Sequence, residues 1–165
     1  MLRLSWLISL GISLFGVMII EYFFTVKHDE VAKAGNLGAM GLALMLPFIV
    51  LSLYTTFRFF AVWARTTPEK NMRWIYLTFG FGLVAVLCYY ANGYTANVYA
   101  ELGGNTTTPG SIIYGFPALN EYTNRVFINF YTFAIIHTVI ALIGAIVGIL
   151  KPAKHQDKNA HFDQD

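Results

Sequence analysis

Four apolar runs, each about as long as the ~20 residues needed to cross a hydrocarbon core of ~30 Å, occupy most of this chain. That repetition constrains the fold more than any motif does. A chain of 165 residues that is 56% hydrophobic and 12% charged carries more apolar surface than one soluble core could hide. Lipid must cover the excess. The reading is therefore an all-α, polytopic membrane protein: one four-helix transmembrane domain over residues 1–150, with helices at about 4–26, 37–64, 74–100 and 126–150. A mobile tail is expected over 151–165.

Inside this frame the first run reads as a retained helix. A cleaved signal is the competitor, since Arg3 precedes the run and Ala32-Lys33-Ala34 resembles a cleavage site. The run is too long for a signal's apolar region of about 7–15 residues, however, and Lys27 to Glu30 separate it from the supposed cut. The second run carries Pro47, which should kink it. The short polar link from Arg65 to Arg73 predicts that the second and third helices are antiparallel neighbours. The third run is longer than the membrane core and must tilt or protrude. The connection over 103–124 is long and rich in turn residues, yet it holds Ile112-Ile113-Tyr114-Gly115-Phe116, an insert expected to pack back onto the bundle or lie in the interface.

Charge sets the expected orientation, because cytoplasmic loops hold the excess of Lys and Arg. With the N-terminus inside, Arg3, Arg58, Arg65, Lys70, Arg73, Lys151, Lys154 and Lys158 lie inside, against Lys27, Lys33 and Arg125 outside. Trp6, Trp63 and Trp74 fall at the same inner ends, where indole rings favour the headgroups. Both termini are expected to be cytoplasmic, in a plasma or inner membrane. The formal net charge of +2 is too small and too scattered for a nucleic-acid partner. The single cysteine, Cys88, excludes an intramolecular disulfide and a C-x-x-C site.

Ionisable groups at membrane depth are candidates for function by default. His137, near the middle of the fourth span, must face protein or water; it could bridge helices, relay protons or ligate a metal or haem. No second histidine lies in a span to complete a bis-histidine haem. Arg58 is close enough to a helix end to extend to the headgroups. Glu21 is expected to form an ion pair with Arg125 at the outer end. In the third span Tyr90, Tyr94, Asn97 and Glu101 recur at helical spacing on one face, and Asn129 and Tyr131 begin the fourth span at similar height. Together these six could line an outer pocket for a quinone ring, lipid headgroup or small solute; an aromatic interface belt is the alternative. Ser9 and Ser13 on the first span, and Gly144 and Gly148 on the fourth, are small residues at helix-packing intervals.

No catalytic residue, metal site or required cofactor can be assigned, although a quinone or haem stays open. The leading expectation is a non-catalytic membrane subunit or accessory protein packed against a larger complex. A small homo-oligomeric transporter or channel using Glu21 or His137 is one alternative. A quinone- or lipid-binding redox or enzyme subunit is the other. Membrane lipids and either a membrane-protein partner or a second copy are the expected partners.

Overall fold

The structure, a computed structural model, describes residues 2–30 and 35–151. The 152–165 tail, including Lys154, Lys158, His155 and His161, and the Ala32-Lys33-Ala34 segment lie outside the described residues. The fold is all-α: α1 (Leu2–Phe23), α2 (Leu37–Thr66), α3 (Lys70–Glu101), the single turn α4 (Asn124–Phe127) and α5 (Phe130–Leu150). Four helices, with α4 and α5 counted as one span, are long and apolar enough to cross a membrane.

Local chemistry explains the ends. After Phe23 the Thr25 hydroxyl donates to the Ile20 carbonyl, and the Val26 N–H leaves the helix for the Glu121 carbonyl, 3.0 Å away. The first helix therefore stops short of Val26. The side chain of Asn36 accepts from the Ala39 N–H and caps α2. α3 begins at Lys70, earlier than the apolar run, because the turn after Pro68 is tied back when the Arg73 guanidinium donates to the Thr67 carbonyl.

α2 and α5 form the centre of the bundle. An ideal Cβ on Gly144 would lie 2.5 Å from the Phe57 carbonyl oxygen, and one on Gly148 would lie 2.3 Å from that of Ala61. Any side chain at either position would collide with the α2 backbone. The other flank of α2 receives α1, where the Ser13 hydroxyl lies 2.8 Å from the Ser9 carbonyl and 2.9 Å from that of Phe48, sharing its proton between them. With both flanks occupied, α2 has little left to offer α3. α3 instead packs against α5, with Leu142 filling the space over Gly80. It meets α2 near the turn, where the rings of Trp63 and Tyr76 are 4.2 Å apart. The expected α2–α3 pairing is thus replaced by the order α1–α2–α5–α3.

At the other end, called here the loop end, the 103–124 connection folds over the bundle. Ile113 is fully buried with Val98, Leu102 and Tyr122, while Ile112, Tyr114 and Phe116 remain exposed. The fourth run is broken: Ile128 and Asn129 leave helical geometry between α4 and α5.

The glycine contacts give a direct test. Gly148→Leu should destabilise the bundle by about 1–3 kcal/mol or more through overpacking. Gly82→Ala, where a Cβ meets only open space, should be neutral or stabilising by up to about 1 kcal/mol. Unfolding midpoints in detergent compare the two.

Candidate functional site

Two polar arrangements stand out in an otherwise apolar bundle. The first is a seam across the helices, from Trp6 near the turn end to His137 at mid-height. The Trp6 indole donates to Thr56 Oγ1 at 3.0 Å, and the hydroxyls of Ser9 and Thr55 are 2.8 Å apart. Thr55 in turn donates to the Ser52 carbonyl, and Ser52 Oγ lies 2.8 Å from Nε2 of His137. The ring's Nδ1 is 2.9 Å from the Phe133 carbonyl. A carbonyl only accepts, so Nδ1 carries the proton, and in a neutral ring Nε2 accepts from Ser52. The Ile49 carbonyl, 2.9 Å from the same hydroxyl, competes for that proton. His137, 7% exposed, is thereby a helix bridge. The seam joins α1 to α2 to α5 sideways; it does not run from one membrane face to the other.

The second arrangement lies at the loop end. Glu21, 9% exposed on α1, accepts from the Tyr94 hydroxyl of α3 at 2.7 Å and from the Phe130 N–H, the first of α5, at 3.3 Å. One carboxylate thus joins three helices, and its position at the start of α5 is favoured by the helix dipole. Beside it Met18, Tyr22, Tyr94, Phe130 and Tyr131 line an open recess of about 290 Å³.

This geometry redistributes the expected outer pocket. Tyr94 and Tyr131 line the cavity, and Tyr90 stacks on Tyr131 at 6.5 Å. Asn97 is exposed and does not line it. Glu101 pairs with Arg125 at 2.5 Å. The expected Glu21–Arg125 pair is therefore not formed: Arg125 sits on the α4 turn beside the end of α3, while the break before α5 presents a backbone N–H to Glu21. Asn129 is also reassigned. Its Oδ1 accepts from the Thr132 N–H and its Nδ2 donates to the carbonyls of Arg125 and Val126, so it splices α4 to α5. The residues that sequence reasoning left out are Met18, Tyr22 and Phe130. A depth match between Glu21 and Tyr94 would have pointed to them. Arg58 is exposed, with its guanidinium 5.9 Å from the Tyr54 ring centre, outside both arrangements.

An apolar cleft of similar volume, about 290 Å³, lies toward the turn end. It is bounded by Trp6 and Leu10 of α1, Phe60 of α2, Leu83 of α3, and His137 and Ala141 of α5, among others. Its rim residue Phe79 is 69% exposed, so it is a cleft and not a sealed void. His137 also edges an apolar cavity of about 250 Å³ on the opposite side of α5, beside Val17, Ile49 and Phe133.

The chain matches no protein-family model, no characterised protein and no solved structure. Function must therefore be read from these side chains.

For the seam, Ser52→Ala and His137→Leu should each weaken the fold, and a double-mutant cycle should give a coupling of about 0.6–1.7 kcal/mol. His137→Asn, which keeps a donor and an acceptor, should remain folded. Full additivity of the first pair would show that the Ser52–His137 bond contributes nothing.

Proposed function

We propose that this is a non-catalytic, lipid-binding integral membrane protein, with both termini cytoplasmic, that holds one membrane amphiphile lengthwise between α1 and α3. The observation that carries the reading is that α1, α3 and α5 line both 290 Å³ spaces, the apolar one toward the turn end and the polar one toward the loop end. Tyr76, Gly80, Leu83 and Tyr94 share one stripe of α3, and Tyr131, Thr138, Leu142 and Ala145 share one stripe of α5, by helical periodicity. An apolar cleft thus lies below a polar, aromatic one. From Trp6 to Glu21 the rise along α1 is about 22 Å, most of the ~30 Å hydrocarbon core, so an amphiphile lying along it reaches from the outer headgroup level past the midplane. A lipid has that polarity order, apolar over most of its length and polar at one end.

The inner-leaflet or outer-leaflet assignment follows from charge. The excess of Lys and Arg at the turn end supports a cytoplasmic turn end and places the carboxylate in the outer leaflet. A cysteine at Thr107 should react with an impermeant thiol reagent in intact cells, while one at Lys158 should not. The opposite pattern would invert the assignment.

Filling the apolar cleft tests the binding. Ala141→Phe should lower the lipid retained after mild-detergent purification, read by native mass spectrometry, without lowering the unfolding midpoint. Equal retention would refute the proposal.

A second reading, an accessory subunit of a larger membrane complex, is favoured by α3. Of its residues only Leu77 and Val98 are buried, Gly82 and Gly93 face open space, and Asn92 is exposed next to Gly93. Small residues with an amide nearby suit close contact with another helix. The same mass measurement would show such a partner as a foreign chain.

A further inference from the structure

We infer that the Glu21 cavity selects a lipid whose headgroup carries an ammonium, such as phosphatidylethanolamine or phosphatidylcholine. This rests on the lipid-binding reading and adds the chemistry of the headgroup to it.

Three observations converge on a cation. First, Glu21 is a carboxylate without a cationic partner: among the described residues the ion pair formed is Arg125 with Glu101, and no Lys, Arg or His nitrogen lies within 4 Å of Glu21. Its partners are a phenol and a backbone N–H, both formally neutral. A carboxylate has about four lone-pair sites, and these donors use two of them. Acceptor capacity and negative charge both remain. Second, the walls are aromatic. Tyr22, Tyr94, Phe130 and Tyr131 line the recess beside the acid, and ring faces attract ammonium groups, with methylated ammonium held by aromatic cages. Third, the space is large for water alone. At about 290 Å³ it exceeds the ~30 Å³ share of one water molecule several-fold.

Depth then identifies the cation as part of a lipid. Nineteen rises along α1 put Glu21 about 29 Å from Leu2, close to one hydrocarbon thickness. The carboxylate therefore sits where the headgroups begin, on the loop-end side of the apolar cleft. A zwitterionic lipid can place its ammonium against Glu21 with its chain below. An anionic headgroup such as phosphatidylglycerol would bring a net negative charge toward a carboxylate with no cation within 4 Å.

The full-length protein, stripped of lipid and then exposed to equimolar phosphatidylethanolamine and phosphatidylglycerol with identical acyl chains, provides the test. Native mass spectrometry counts each lipid retained. The expected result is enrichment of the amine lipid on the order of fivefold, falling toward parity in Glu21→Gln while total retained lipid is unchanged. Equal retention of the two lipids by the unaltered protein, or preference for the anionic one, would overturn the ammonium assignment and leave the cleft reading intact. Retention of neither would overturn both. If Glu21→Gln fails to fold, Tyr131→Leu is the second variant, and unchanged selectivity there would remove the aromatic wall from the argument and overturn it. A third arm adds tetramethylammonium chloride: if it occupies the site while neither lipid is enriched, the site serves a soluble cation and the lipid assignment fails.

Discussion

The bundle depends on the approach of two backbones. Gly144 and Gly148 bring α5 against the carbonyl edge of α2, and in lipid, where apolar side chains gain little from meeting each other, such close packing is the main source of helix association. Everything else is arranged around that contact. The same register sets Ser52 opposite His137, so the imidazole at mid-depth on α5 meets a hydroxyl. α1 adds to the far side of α2 through Ser9 and Ser13, and α3 is left to the free side of α5.

At the loop end a different device is used. α1 and α3 make no substantial contact along their lengths, yet Tyr94 and Glu21 join them across the top while Phe130 anchors the same carboxylate to α5. The joint needs a free backbone N–H, which only a helix start supplies. The break at Ile128 and Asn129 creates that start inside what would otherwise be one continuous span. Asn129 makes the break affordable by bonding to both sides of it.

Much of this was legible in the sequence, for physical reasons that also mark where legibility stopped. Span number and approximate limits follow from apolar run length, since lipid leaves no other way to satisfy the backbone. The Gly144/Gly148 and Ser9/Ser13 intervals mark faces that lie against α2 in the structure, because a small residue's effect is local. Which helix each face would meet was not readable: loop length placed α3 beside α2, but competition for α2's flanks decides neighbours, and no local pattern encodes it. Polar pairings failed in the same way. Arg125 and Glu21 both sit near the loop end, and height alone could not choose between Glu101 and Glu21 as partner. The Asn129 break was hidden because the surrounding residues remain apolar; its one signal was an N-cap residue three positions before Thr132. For Tyr90, Asn97 and Glu101, helical spacing put them near one face, while the pocket's actual walls come from three helices.

The order of the helices in space, α1–α2–α5–α3, differs from their order along the chain, and this has a consequence for biosynthesis. Chains are made from the N-terminus, and early segments can settle before later ones exist. Here α1 and α2 can dock as soon as both are inserted, but α3 then has no established neighbour until α5 emerges. The last span must enter between two that are already in the membrane, bringing with it both glycines, the imidazole and the N–H that Glu21 requires. The short turn over residues 67–69 has to hold α3 near enough to receive α5, yet far enough from α2 to leave it a seat. Nascent chains halted before residue 124 would therefore hold a helical hairpin and a loosely tethered third helix, a state exposed to quality-control proteases until translation is complete.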